Sequence, residues 1–295
     1  MKKGLILVFT TAVISGFSIF INKYGVSVIN PSVFTFLKNT VVALMLTSLI
    51  LLIKDRRLLK SLTKKQWWLL CLIGLVGGSI PFLLFFKGLS LTGAAQGSFI
   101  HKTMFIYVAV LAVIFLKEKI SKEFLIGTLL LLLGNLIYLK ALPTSFGQGD
   151  LLVLLATFLW AIENVISKYA LKDLPAKIVA WGRMFFGSIF ILVFLLASGQ
   201  AGQITTLNMT QIGWIFLTAL ILLGYVLTWY SGLKYVPVST AAAILLLGSP
   251  ITTLLSLTIG VKISPSEFLA GTLMIIGLIF IVGFKYSEEK IYVRS

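Results

Sequence analysis

A stretch in the middle of the chain restates its beginning. Ile166-Ser167-Lys168-Tyr169 echoes Ile21-Asn22-Lys23-Tyr24 at a separation of 145 residues, and the same offset carries Lys38 onto Arg183 and Gln66 onto Gln211. Toward the end of each copy, Lys119-Ile120-Ser121 with Glu123-Phe124-Leu125 returns as Lys262-Ile263-Ser264 with Glu267-Phe268-Leu269. Gly127-Thr128-Leu129 then returns as Gly271-Thr272-Leu273. A period of this length exceeds a solenoid unit and fits half a protein. The chain is a duplication.

Each copy is too apolar for water. Of the 295 residues 59% are hydrophobic and only 12% charged, with a mean hydropathy of +1.06; soluble domains carry about 25% charged residues. Apolar runs long enough to cross a bilayer as helices, roughly 20 residues each, fall at 4–22, 31–53, 66–86, 93–116, 123–141, 150–170, 176–198, 209–231, 238–260 and 266–284. The expected fold is an all-α membrane protein of ten transmembrane helices in two five-helix repeats. The first occupies 1–142 and the second 150–286, with a cytoplasmic tail at 287–295. The polar piece Pro143-Thr144-Ser145-Phe146-Gly147-Gln148-Gly149 links them. The N-terminal run resembles a signal peptide, but its repeat partner is internal and must span, so it reads as an uncleaved first helix.

Charge placement gives orientation. The net charge of +16 raises nucleic acid as a partner, but the basic residues stand at the ends of apolar runs and set topology instead. With the N-terminus inside, 18 Lys and Arg fall on the inner side, including Lys2, Lys54, Lys117, Lys168, Lys234, Lys285 and Arg294. Only Lys23, Lys87, Lys140 and Lys262 fall outside, and 3 lie within spans. Both termini are therefore expected in the cytoplasm, in a plasma (inner) membrane. Five is odd, so the second half enters from the opposite side: an inverted-topology repeat, the architecture of alternating access.

Ionisable groups inside hydrocarbon are costly and tend to face a cavity or a partner. Lys38, His101, Lys102, Glu163 and Arg183 are the candidates. Lys38 and Arg183 are repeat partners, each seven residues into its span; snorkelling to the interface is the other reading of both. Thr11, Ser15, Ser18 and Asn22 share one face of the first helix, and shifted by 145 they become Ala156, Trp160, Glu163 and Ser167. Two such stripes favour a shared aqueous cavity over simple interhelical hydrogen bonding. Glu163 and His101 are the proton-coupling candidates, and Tyr225 with Trp229 form an aromatic wall or an interfacial belt. Trp67 and Trp68 read as belt. The fifth and tenth spans read as featureless, lipid-facing helices. His101-Lys102-Thr103 faces Leu245-Leu246-Leu247 in the repeat, so that cation pair is not a demand of fold symmetry.

Some chemistry is absent from the sequence. One His and one Cys (Cys71, which reads as a small buried side chain) supply no His/Cys metal site, and no phosphate loop or nucleophile–base set is legible. No cofactor, metal or enzyme activity is expected.

Leu116-Lys117-Glu118-Lys119-Ile120-Ser121 leading to Gly127, Val261-Lys262-Ile263-Ser264 leading to Gly271, and Gly149-Asp150-Leu151 followed by Leu159-Trp160-Ala161 resemble the EamA-like families of the drug/metabolite transporter superfamily. Glu118 keeps the acid common in the family's last turn, and Val261-Lys262 does not. The resemblance implies a monomer-sized transporter, compatible with a dimer, with a central cavity between halves. With three fixed cations against one acid within the spans, the expected substrate is a small anionic or zwitterionic metabolite such as an amino acid. The expected mode is secondary-active export or exchange. Alternatives are a proton-coupled exporter of cationic or lipophilic compounds using Glu163 and the aromatics, and a lipid-handling membrane protein.

Overall fold

A computed structural model describes residues 2–25, 29–52, 56–89, 91–92, 94–139, 146–257, 260 and 264–292. Of the sequence features above, Pro143-Thr144-Ser145, Lys54, Lys140, Val261, Lys262, Ile263 and Arg294 lie outside these, as do the side chains of Lys23, Lys285 and Lys290. The first half contributes α1 (Lys2–Gly25), α2 (Pro31–Leu52), α3 (Arg56–Lys60), α4 (Lys64–Gly78), α5 (Ile80–Leu89), α6 (Ala94–Lys102), α7 (Met104–Leu116) and α8 (Lys122–Leu139). The second contributes α9 (Gln148–Ala170), α10 (Ala176–Ala197), α11 (Met209–Leu233), α12 (Val238–Ile244), α13 (Gly248–Leu257) and α14 (Pro265–Tyr292). There is no strand among the described residues.

Among the described residues seven segments are long and apolar enough to cross a membrane: Pro31–Leu52, Lys64–Gly88, Phe99–Leu116, Gln148–Ala170, Ala176–Ala197, Met209–Leu233 and Pro265–Gly283. The remaining expected spans are helical too, as α1, α8 and the pair α12–α13. Three of the expected spans are interrupted, and in the third and ninth the break adjoins the kink that Pro81 and Pro250 predict. The third breaks at Ser79, ahead of Pro81, whose missing N–H and ring disfavour helix continuation. The fourth breaks at Thr103, and the ninth passes through a short 3₁₀ turn at Leu245–Leu247. Those last two breaks fall at the repeat-equivalent position noted above, so the interruption is symmetric although the side chains are not.

Several repeated motifs are helix starts. Thr63 and Gln66 form a reciprocal capping box on α4, and Asn208 and Gln211, 145 residues on, do the same for α11. Each box satisfies two of the backbone donors that a helix start leaves open. Likewise Ser121 accepts from Phe124 N at the start of α8, and Ser264 from Glu267 N before α14. The duplicated Ile-Ser…Glu-Phe-Leu signature is a cap followed by its helix.

The halves interlock. α1 packs on α11 and α13, and α9 packs on α4, α5 and α7; α2 meets α10, and α8 meets α14. α2 and α10, repeat partners, run antiparallel: Trp181 early in α10 donates to Thr47 late in α2 at 2.9 Å, while Val33 and Phe34 cluster with Ile191 and Leu195. α8 and α14 are antiparallel too, and not featureless. Gly127 lies against Gly277 and Ile281, and Gly134 against Ala270 and Met274. Small residues of this kind let backbones approach where no hydrophobic force drives helices together. The outer faces of the same pair, with Leu125, Leu129, Phe268 and Ile279, are exposed. Trp68 is exposed as a belt residue would be, but Trp67 is not: it packs edge-on against Trp181 and Phe186.

Candidate functional site

Glycines bring the two halves close enough to share polar groups. α4 ends in Gly74, Gly77 and Gly78, and a Cβ at Gly77 would strike the Glu163 side chain on α9, while one at Gly78 would strike the Arg183 carbonyl on α10. Into this contact α9 sends Trp160, Glu163 and Ser167, the face foreseen from their spacing; α10 sends Arg183 and α11 sends Tyr230. Ser167 Oγ donates to Glu163 Oε1 at 2.5 Å, and Tyr230 Oη donates to the same oxygen at 2.7 Å. Arg183 Nη1 donates to Tyr230 Oη at 3.1 Å and approaches Glu163 Oε2 at 3.6 Å. From the first half, the Gly77 carbonyl accepts from Trp160 Nε1 at 3.1 Å and from Arg183 Nη2 at 3.3 Å. Helix ends leave such carbonyls free for side-chain donors.

Glu163 and Arg183 are 1% and 8% exposed. Opposite charges so placed stabilise each other only where hydrogen bonds complete the pairing. Completion is partial here: among the described residues Glu163 Oε2 and Arg183 Nε have no hydrogen-bond partner. The network can therefore hold a charge in the protein interior and still has capacity to bind.

The other expected residues form separate groups. Lys38 is buried, its Nζ 3.4 Å from Asn22 Oδ1 and 5.0 Å above the Phe34 ring. Asn22 Nδ2 in turn donates to Ser18 O and Ser18 Oγ, both at 2.8 Å. Thr11 donates to Thr228 on α11 at 2.9 Å, and Ser15 Oγ lies beside Gly248. His101 packs edge-on against Trp160, at 4.9 Å between ring centres, and against Phe85 at 5.2 Å; its Nδ1 is buried and has no hydrogen-bond partner among the described residues. Phe82 and Phe86 extend that aromatic group, and Lys102 lies half-buried at the end of α6. Tyr225 and Trp229 stack at 6.4 Å, and Trp229 is buried, so the pair is interior rather than belt. Among the described residues these side chains fall into a Lys38 group, an aromatic group that meets the Glu163 network at Trp160, and the Tyr225–Trp229 stack.

Tyr230 and the Gly77 carbonyl complete the Glu163 network, and spacing along the chain does not place either beside Glu163. A buried tyrosine hydroxyl seeks a partner, which is the one signal that pointed to Tyr230. Two residues read as topological markers also have structural roles. Lys168 Nζ caps the end of α11 by donating to the carbonyls of Leu233 at 2.6 Å and Val236 at 2.7 Å. Glu118 accepts from Val238 N at 2.7 Å and from Ser239 Oγ at 2.5 Å, joining the end of α7 to the start of α12.

An all-helical, duplicated chain with seven membrane-length apolar segments and a polar network buried between its halves is a multi-pass membrane protein. The model of the EamA-like transporter family matches it twice, at residues 2–140 and 147–283. The chain belongs to the EamA-like transporter family, and it is a membrane transporter with a small-molecule substrate. It is 26% identical over 278 residues to the uncharacterized transporter YyaM of Bacillus subtilis, covering 90% of each chain. It is 26% identical over 295 residues to an uncharacterized transporter of Archaeoglobus fulgidus, covering 98% of each. A solved crystal structure shares the fold at a TM-score of 0.79 with 16% identity, over 98% of this chain and 99% of that one.

Proposed function

We propose that the protein is a secondary-active transporter of a small anionic or zwitterionic metabolite, amino acids foremost, working by alternating access as an exporter or exchanger. Its ten spans form two inverted halves, 1–142 and 150–286, with both termini cytoplasmic in the plasma (inner) membrane. The antiparallel course of the repeat partners α2 and α10 supports inversion, since a twofold axis in the membrane plane reverses equivalent helices. The observation that carries the reading is the buried junction of Arg183, Glu163, Tyr230 and Ser167 with the Gly77 carbonyl of the other half. A polar network at the seam between two like halves is one that relative movement of the halves remakes. Lys38 with Asn22 and Ser18, and His101 with Lys102, add cationic or titratable groups on the same side of the charge balance. Trp160, Ser15, Tyr225 and Trp229 complete the proposed lining.

A second reading has its own observation. Phe82, Phe85, Phe86, Trp160 and His101 form a continuous aromatic group next to the single deep acid, a setting suited to a lipophilic cation exchanged for a proton on Glu163. Counterflow in proteoliposomes separates the two. Preloaded protein vesicles should accumulate radiolabelled amino acids against a panel of unlabelled competitors. Competition by quaternary amines but not by amino acids or carboxylates would replace the first reading with the second.

A further inference from the structure

The duplication allows the two buried cations to be compared atom group by atom group. Adding 145 to Ser18, Asn22 and Lys38 gives Glu163, Ser167 and Arg183. In the second half the cation Arg183 faces the Glu163 carboxylate, which is itself held by Ser167 one turn further along α9. The first half repeats the construction: Lys38 faces Asn22, and Asn22 is bonded to Ser18 one turn earlier on α1. One part is missing. Where the second half has a carboxylate, the first has the Ser18 hydroxyl.

Lys38 is 6% exposed. Its described contacts are a neutral amide oxygen and the Phe34 ring. Among the described residues no carboxylate offsets the lost hydration of this ammonium, and a buried charge without its counter-charge is strongly destabilising. Snorkelling, the remaining alternative, would bring the amine to the interface; burial and the bond to Asn22 keep it inside. The arrangement is that of a half-assembled ion pair.

We propose that the missing carboxylate is the substrate's: its –COO⁻ group binds beside Lys38 in the place that Glu163 fills in the second half, with Asn22 and Ser18 as additional donors. A single ammonium matches one negative charge, whereas a phosphate monoester carries about −1.5 to −2 near neutrality. A carboxylate is therefore the group that closes the site. The site is shut in this structure, and it fills when the halves part. This inference rests on the transport of anionic or zwitterionic metabolites proposed above, and it locates the recognition group at Lys38 rather than Arg183.

The test uses the full-length protein in neutral detergent. Thermal stabilisation is measured with the twenty common amino acids, succinate and glucose 6-phosphate, and for each amino acid that binds, with its amide and its decarboxylated amine. Wild type should be stabilised by carboxylate-bearing compounds and not by the matching amides. Lys38→Ala should weaken that binding roughly tenfold or more, as expected for loss of a charged hydrogen bond, and Lys38→Arg should retain most of it. Ser18→Glu is the decisive variant, because it builds the second half's ion pair into the first. It should raise the melting temperature without ligand and abolish carboxylate binding by occupying the site. Carboxylate binding unchanged in both Lys38→Ala and Ser18→Glu overturns this inference while leaving anion transport standing. Stabilisation of wild type by amines alone, or by glucose 6-phosphate alone, overturns the inference, and in the first case the broader reading with it.

Discussion

Arg183 reaches Glu163 chiefly through Tyr230. Nη1 donates to Tyr230 Oη at 3.1 Å and that hydroxyl donates on to Glu163 Oε1 at 2.7 Å, whereas the direct approach of Nη1 to Oε2 is 3.6 Å. In this relay the hydroxyl accepts from the guanidinium and donates its own proton to the carboxylate, so that it couples three helices. Tyr230→Phe removes the relay and keeps the ring. The loss should be about 1–3 kcal/mol of stability, read as a lower melting temperature. Unaltered melting and transport would reduce Tyr230 to a packing residue.

Glu163 is the deep acid of the second half, and its neutralisation should be felt twice. Glu163→Gln leaves Arg183 buried without its counter-charge, a loss of about 3–5 kcal/mol when one partner of a buried pair is removed. It should also make the transport rate insensitive to a pH gradient if Glu163 carries the proton. Combining it with Arg183→Met should recover part of the stability, since an apolar replacement of both partners removes the stranded charge. A pH profile in Glu163→Gln that matches wild type would exclude the proton role.

The Gly77 position has no room for a methyl group. Its carbonyl serves Trp160 and Arg183, and a Cβ there meets the Glu163 side chain. Gly77→Ala should therefore displace Glu163 and lose about 1–3 kcal/mol through overpacking, together with transport. Gly213 is the control: nothing lies within 4 Å of its would-be Cβ, and it sits in a helix. Gly213→Ala should be neutral or stabilising by up to about 1 kcal/mol. Equal melting temperatures for the two variants would deny that α4 and α9 are in such close contact.

The duplication, the helical course and the face shared by Trp160, Glu163 and Ser167 were legible in the sequence, because each depends on spacing along one chain. Which group on a neighbouring helix completes a site was not. Tyr230 meets Glu163 only because α11 packs on α10, and the Gly77 carbonyl is free because its i+4 residue, Pro81, has no N–H to offer. The repeat of Gln66 in Gln211 is a shared helix cap. Lys38 and Arg183 were paired correctly as equivalents, but their difference lies in Ser18 against Glu163, which gains meaning once both networks are seen. The break at Thr103 was not legible, because the stretch from Ser98 to Met104 contains no proline or glycine; the ninth span's break lies just before Gly248 and Pro250, residues that mark a kink.

Glu118 ties the halves together at the end of the molecule where α7 finishes. Its carboxylate accepts from Val238 N at 2.7 Å and from Ser239 N at 3.3 Å and Oγ at 2.5 Å. Those donors open α12, directly after Pro237, so the acid caps a helix of the opposite half. A transporter that alternates access must open each end in turn, and in the proposed orientation this is the cytoplasmic end. The bond is then a latch against inward opening. Glu118→Ala should release it, with a loss of about 1.5–3 kcal/mol of stability read as a lower melting temperature, and shift the population toward inward opening. The shift can be read by placing a single cysteine at Val238 in a Cys71→Ser background. Labelling of that cysteine from the cytoplasmic side should accelerate in Glu118→Ala and be intermediate in Glu118→Gln, which keeps one acceptor oxygen. Identical labelling in all three backgrounds would mean that Glu118 caps α12 without restraining the opening.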